Sequence, residues 1–386
     1  MRVATADVVI IGAGVVGACC AYSCARSGLS VIIVDRGPVA GGTTGAGEGN
    51  ILVSDKEPGP ELDLALFSRE SWATLAGDLG DAFELEPKGG LVVASSPDAL
   101  AQLDRLAGEQ RSGGVLAEAV AADELPDLEP RISRDLSGGY LYPQDMQVQP
   151  MLAAAHLIRA ARETGRATLM TGCTVTGIHR DDSGAVTGVR TSQGEILTRY
   201  VVNAAGTWGG DVARVLGVDL PILPRRGFIL VTEPLPPVIH RKVYAADYVA
   251  NVASDSAGLE TSAVIEGTRS GTVLIGASRE RVGFDRSLDW SVVRRLAAQA
   301  IEVFPFLADV SLLRTYGGFR PYCPDHLPVI GPDPRLPGLL QACGHEGAGV
   351  GLAAGTGVLI AQSIRGEPRS VDMGPFSPER FEVAHA

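Results

Sequence analysis

Lysine is almost missing from this sequence. Only Lys56, Lys88 and Lys242 occur, and the formal net charge is −12. A phosphate backbone needs a basic face, and no Lys/Arg block offers one, so nucleic-acid binding is excluded. Paired cysteine motifs are missing too. Cys19, Cys20, Cys24, Cys173, Cys323 and Cys343 contain no CxxC spacing, which argues against a metal or iron–sulfur site within this chain. Cys19, Cys20 and Cys24 fall on one expected helix, where small buried thiols pack well. No transmembrane segment is expected either: the early apolar run Val8–Ile11 is far too short to span a bilayer. The acidic Asp7 before it argues against a signal peptide, so a reduced cytoplasmic setting is expected. Repeats, low-complexity segments and long linkers are absent.

What the 386 residues do contain is apolar. Hydrophobic residues make up 45% and charged residues 20%, enough for a large core or for two domains sharing an interface. Ala6–Ile11 has the short, β-branched pattern of a buried parallel strand ended by glycine. Val15–Ser27 reads as a helix and Leu29–Val34 as a second buried strand, together a β-turn-α-β unit with a right-handed crossover. Gly37–Asn50 is glycine-rich and predicted irregular. Helices are predicted over Glu61–Ala76, Pro97–Gln110, Pro150–Thr164, Ser291–Val303 and Val350–Arg365. Strands are predicted over Gly89–Ala94, Thr168–Arg180, Val186–Ser192, Glu195–Val202 and Leu339–Cys343. An antiparallel group is predicted over Arg225–Thr232, Val243–Val252, Leu259–Glu266 and Thr272–Ala277. The α/β signals at both ends and the β-rich middle point to two interleaved domains.

Gly12-Ala13-Gly14-Val15-Val16-Gly17 is a GxGxxG run, a weak signal by itself. Here it joins a predicted strand to a predicted helix, and Asp35 ends the next strand, with Arg36 beside it. That context points to a dinucleotide. Gly12 permits the tight turn, Gly14 lets the backbone approach a pyrophosphate, and Gly17 allows close helix–strand packing. The helix start offers free N–H groups and the positive end of its dipole to phosphates. Asp35 is suited to accept from ribose hydroxyls.

Further segments carry a resemblance. Gly41-Gly42-Thr43-Thr44-Gly45-Ala46-Gly47 is similar to the loop that covers the flavin diphosphate in the D-amino-acid oxidase (DAO-type) family. Val202-Asn203-Ala204-Ala205-Gly206-Thr207-Trp208 resembles the family's NAAG-x-W return beneath the cofactor. Val148-Gln149-Pro150 stands where the family has Val-Asp-Pro, and its Gln departs from that pattern. Val175 matches the strand whose backbone meets the adenine. Gly317-Gly318-Phe319-Arg320-Pro321 resembles the family's G-x-R-P segment. Gly344-His345-Glu346-Gly347-Ala348-Gly349-Val350-Gly351 resembles its last helix start. Gly349, Gly351 and Ala354 also fit GxGxxA, but no strand and acidic residue follow, so a separate NAD(P)H site is rejected.

The resemblance implies FAD and an α/β fold. An FAD-binding Rossmann-like domain of glutathione-reductase type, over 1–82, 142–222 and 318–386, is expected to carry an interleaved α+β substrate domain. That second domain, over 83–141 and 223–317, would be built on a mixed, mostly antiparallel sheet. The implied cofactor contacts are Gly12, Ala13, Gly14, Val15, Val16, Gly17, Asp35, Arg36, Thr43, Thr44, Val175, Ala204, Gly206, Trp208, Gly344, His345, Gly347, Gly349 and Val350. Arg320 is implied as the anchor for a substrate carboxylate, because a guanidinium pairs with a carboxylate bidentately. His345 either lies beside the flavin or caps the helix. Tyr244 and Tyr248, on one predicted strand, either face the substrate or sit in the core. Glu266 pairs with a substrate amine or is a sheet-edge carboxylate, and Glu48 and Asn50 are assigned no role. Cys323 lies downstream of the place where monomeric sarcosine oxidases carry a flavin-linked cysteine, so non-covalent FAD is expected.

Within the family, Asn203–Trp208, Gly276–Ser278 and Ala342–His345 look most like catalytic subunits of hydrogen cyanide synthase, opine oxidase and hydroxyproline dehydrogenase. Glycine and sarcosine oxidases come next. The implied reaction is hydride transfer from the α carbon of an amino acid to flavin N5, without a dedicated side-chain base. A secondary amine such as D-hydroxyproline, an opine or sarcosine is the expected substrate. Cys-rich iron–sulfur or FAD-binding partner subunits, and an additional FMN at a subunit interface, are implied by the same relatives. A stand-alone oxidase producing peroxide and a non-catalytic flavoprotein scaffold are the alternatives.

Overall fold

The computed structural model describes residues 3–252 and 256–385. One six-stranded sheet runs, from edge to edge, through Val329–Pro332, Leu339–Cys343, Tyr200–Asn203, Val8–Ile11, Val31–Asp35 and Ala167–Thr171. Its neighbours are parallel except at the Val329–Pro332 edge. Val8–Ile11 is buried throughout, which is why its sequence shows no polar alternation. The helix Val15–Arg26 packs against Gly349–Arg365 and Pro150–Glu163 on one face of this sheet. Among the described residues, Glu346–Arg365 is the one helical stretch long and apolar enough to cross a membrane. Here its apolar faces pack against Val15–Arg26 and Pro60–Leu79.

The second sheet has eight strands: Leu312–Tyr322, Leu223–Thr232, Val273–Arg279, Glu260–Gly267, Lys242–Ala245, Gly90–Ala94, Gly138–Tyr142 and Glu118–Val120, in that spatial order. All its pairings are antiparallel except Lys242–Ala245 with Gly90–Ala94, so the sheet is mixed and mostly antiparallel. The helix Trp290–Val303 covers one face, where Leu230, Ile265, Leu296 and Phe304 form a core. A four-stranded sheet of Val3–Thr5, Gly194–Leu197, Val186–Thr191 and Val175–Arg180 packs beside the first.

Several expectations are corrected. Thr168–Arg180 is two strands in two sheets: Gly172 takes φ +62° and the chain turns out of the parallel sheet. Glu195–Val202 likewise divides between sheets, with Thr198 Oγ1 bonding the Asp7 and Tyr200 carbonyls at the step. The predicted strand Val243–Val252 stops at Ala245. The helix Asp247–Val252 follows, so Tyr244 and Tyr248 are on different elements. Glu266 is not at an edge, since its strand lies inside the eight-stranded sheet. The expected boundaries at 141/142 and 317/318 fall inside the strands Gly138–Tyr142 and Leu312–Tyr322, whose pairing continues across both points.

Candidate functional site

A long cavity of about 440 Å³ opens where the carboxyl ends of the parallel strands meet the eight-stranded sheet. The strand Val8–Ile11 delivers Gly12 to one end with φ +118°, a conformation that favours glycine. A Cβ on Gly12 would collide with the Ala204 carbonyl, and one on Gly17 with the Gly12 carbonyl. The three-glycine spacing thus brings helix, strand and return segment into backbone contact. Gly14 caps the helix with no side-chain hydrogen bond. Of the first amides, Val15 N donates to Thr44 Oγ1 at 3.0 Å. The Asp35 carboxylate is fixed by Ala13 N at 2.8 Å and Gly37 N at 2.7 Å while bordering the cavity.

Arg36 lies over the Trp208 ring at 4.5 Å, and that ring stacks on Phe284. Arg36 and Trp208 make one wall, and Val175, Ala204 and Gly206 border the same cavity. Thr43 Oγ1 donates to the Phe319 carbonyl at 2.7 Å, as does Thr207 Oγ1. Thr43 is therefore committed to holding its loop against the strand Leu312–Tyr322. The Thr44 oxygen accepts from the Val15 amide, leaving its hydroxyl hydrogen to donate.

At the other end the last helix begins, and its first turn has no side-chain cap and no acidic residue. Gly347, Gly349 and Val350 border the cavity there, as do Gly12, Gly14, Val15 and Val16 at the first helix. Two helix N-termini without side-chain caps thus face one elongated space. That donor set suits a pyrophosphate at one end and a ring that gains negative charge at the other.

His345 is 3% exposed, with Nε2 3.0 Å from Thr356 Oγ1, which itself donates to the Leu352 carbonyl. Nε2 therefore carries the hydrogen. Burial pushes this imidazole down to about 3, so it is neutral. Arg320 is half-buried, its Nη1 donating to the Ser278 carbonyl at 2.7 Å. It borders both this cavity and an adjoining one of about 300 Å³, as do Tyr248, His345, Glu346 and Gly347.

The family described as FAD dependent oxidoreductase (DAO) matches residues 7–363. The chain belongs to that family. It is 31% identical to the hydrogen cyanide synthase subunit HcnC of Pseudomonas aeruginosa, over 98% of this chain and 97% of that one. It is also 31% identical to the mitochondrial sarcosine dehydrogenase of Homo sapiens, over 98% of this chain but 41% of that longer protein. The crystal structure of glycine oxidase from Geobacillus kaustophilus superposes with a TM-score of 0.87 at 27% identity, covering 97% of this chain and 98% of that one. The glycine cradle and the paired helix starts fit FAD, so this FAD-dependent oxidoreductase would hold its cofactor in the long cavity.

Three of the expected cofactor contacts, and the substrate candidate Tyr244, lie outside that cavity's lining. Ala13 acts through its amide on Asp35, and Gly17 through packing on Gly12. Gly344 has φ +77°, and a Cβ there would press on Ile222, so it shapes the turn before the helix. Tyr244 is fully buried with its hydroxyl bonded to Ser54, which also bonds Asp145. It is a core tyrosine that supports Tyr248 edge-on at 5.3 Å, which corrects its expected place at the substrate.

Glu48, assigned no role from sequence, borders the long cavity. It is 8% exposed, and its Oε1 has no hydrogen-bond partner among the described residues, with Lys242 Nζ 3.6 Å away. Lys242 Nζ bonds Glu266 Oε2 at 2.7 Å, and Glu266 also accepts from Gly49 N at 3.1 Å. Burial pushes the Glu48 carboxyl up from its ordinary value, against the pull of Lys242. Glu266 is thus paired within the protein, while Glu48 borders the cavity with one carboxylate oxygen that has no hydrogen-bond partner among the described residues. The one sequence signal for it was a charged residue among the glycines after the flavin loop. Cys323 is buried and borders neither cavity, and burial pushes its thiol up, away from a reactive thiolate.

Proposed function

We propose that this chain oxidises an amino acid bearing a secondary amine, such as D-hydroxyproline, an opine or sarcosine, as the catalytic subunit of a dehydrogenase complex. The observation that carries the reading is Arg320: a guanidinium held by the Ser278 carbonyl at the junction of the two cavities. An enclosed cation there suits the carboxylate of an α-amino acid. Glu48 is placed in the same cavity to receive a hydrogen bond from the substrate amine. Neutral His345 adds no positive charge to repel that amine. Non-covalent FAD, when bound, supplies the hydride acceptor; the protein orients the α carbon toward it and excludes water. Support for the secondary amine and for subunit status comes from the names of the sarcosine dehydrogenase and HcnC relatives.

The test is anaerobic addition of D- and L-amino acids, N-alkyl amino acids and opines to the holoprotein, read by flavin bleaching. Bleaching by secondary amines alone supports the proposal, and no bleaching across the panel leaves a non-catalytic flavoprotein. Similarity to glycine oxidase favours a second reading, a stand-alone oxidase, for which the isolated chain would give stoichiometric peroxide. Co-purification with a Cys-rich partner, and FMN beside FAD in the extracted cofactor, would favour the complex.

A further inference from the structure

We infer that the substrate carries two carboxylates, the first at Arg320 and the second in the side cavity at Arg279. The inference rests on the reading of Arg320 as the carboxylate anchor and extends it to the substrate class. Among the described residues five Lys or Arg are buried: Lys56, Arg225, Arg226, Lys242 and Arg279. Four of them have carboxylate partners. Lys56 pairs with Asp55, Arg225 with Glu260 and Glu346, Arg226 with Glu280 and Asp285, and Lys242 with Glu266. Arg279, 4% exposed, is the exception. Among the described residues its guanidinium has no hydrogen-bond or ion-pair partner, only the Tyr248 ring at 5.0 Å. Arginine does not escape burial by losing its proton, so an unmatched buried guanidinium awaits an anion.

The surroundings make the requirement stronger. Arg320 donates to the carbonyl of Ser278, the peptide group that leads directly into Arg279, so its guanidinium lies at the base of the Arg279 side chain. Gly227 on the intervening strand makes this possible, because a Cβ there would strike the Arg320 guanidinium. Burial and the adjacent Arg279 charge together hold the Arg320 guanidinium below its ordinary value. The carboxylates of the side cavity form no hydrogen bond or ion pair with either arginine among the described residues, although Glu346 lies close enough to feel the Arg279 charge. Asp55 bonds Lys56, with Glu61 also 3.7 Å from that ammonium, and Glu346 is held by Arg225 and His326. Two positive groups therefore share a space in which Asp55, Glu61 and Glu346 are held by other cations, and the remaining carboxylate, Glu57, is exposed to solvent.

Their placement favours two anions over one. Arg320 borders both cavities, whereas Arg279 borders the side cavity alone. A carboxylate at the junction meets Arg320, and a substituent reaching into the side cavity brings a second carboxylate to Arg279. The substrate class is an amino acid whose nitrogen or side chain bears another carboxylate.

The experiment is equilibrium binding to the holoprotein, read by flavin absorbance, with two matched series: malonate, succinate and glutarate against acetate, propionate and butyrate. The expected result is at least about tenfold tighter binding of the best dicarboxylate over the best monocarboxylate. That difference should disappear in Arg279→Met. Equal binding of the two series by the native protein overturns the inference. So does an Arg279→Met variant that weakens both series by one factor, which would mean a single carboxylate shared by both arginines. Arg320→Met should weaken both series; if it changes neither, the anchor reading itself fails. Should Arg279→Met lose its flavin, Arg279→Lys serves, with retention of the dicarboxylate preference expected and its absence counting against the inference.

Discussion

His345 makes acid sensitivity a quantitative matter. Its folded-state value lies near 3, while an unfolded histidine titrates near 6.5. Below pH 6.5 the unfolded chain takes up a proton that the folded chain refuses. The contribution to stability is therefore fully present above 6.5 and is lost as pH falls toward 3. At pH 5 the loss is about 1.5 pH units at 1.36 kcal/mol each, or about 2 kcal/mol. Other groups titrate in the same window, so the measurement is a difference. Denaturant unfolding of the native protein and His345→Gln is compared at pH 7.5 and pH 5. The glutamine amide is long enough to donate to Thr356 as Nε2 does, and it does not titrate. The native protein should lose about 2 kcal/mol more than the variant between the two pH values. Equal losses would show that this ring is protonated in the folded state, and would remove the neutral tautomer from the site.

Other outcomes follow from the same geometry. Arg320→Met should weaken carboxylated substrates by about 2–5 kcal/mol, seen in kcat/KM, with FAD retained. Gly17→Ala should yield protein depleted in FAD, because its methyl would drive into the Gly12 carbonyl; bound flavin per chain measures this. Lys242→Met leaves Glu266 buried without its ammonium and should destabilise the fold by about 3–5 kcal/mol in denaturant titration. Gly227→Ala should impair substrate binding while leaving FAD content intact, since the methyl displaces the Arg320 guanidinium and lies outside the glycine cradle.

Local chemistry explains which parts of the fold were legible. The Gly12–Gly17 turn, the buried strand before it and Asp35 after the next strand all lie within one short unit, where spacing and residue type decide the conformation. The family segments then located Arg320 and the last helix start. What escaped was decided across the chain. Ala167–Thr171 and Val175–Arg180 are equally good strand formers, and only the packing of two sheets separates them. The strand Leu312–Tyr322 was not among the expected strands, since Gly317 and Gly318 interrupt its β-branched and aromatic pattern, yet it pairs with Leu223–Thr232 with one irregularity near Val231. Tyr248 was placed on a strand because nothing local announces that pairing stops after Ala245. Arg279 was invisible for a different reason: whether a cation has a partner depends on residues scattered from Asp55 to Glu346.

The carbonyl of Phe319 accepts from Thr43 on the loop after the second strand and from Thr207 on the return turn, and it immediately precedes Arg320. Three segments far apart in sequence therefore meet at one oxygen atom. This sets the unit in which such a protein can be recombined. A chimera that imports the 312–322 strand from a relative, without the matching loop and turn hydroxyls, leaves that oxygen unpaired and frees the neighbouring guanidinium to drift. Exchanges that respect the junction must move all three segments together, so substrate choice and cofactor grip are inherited as one block.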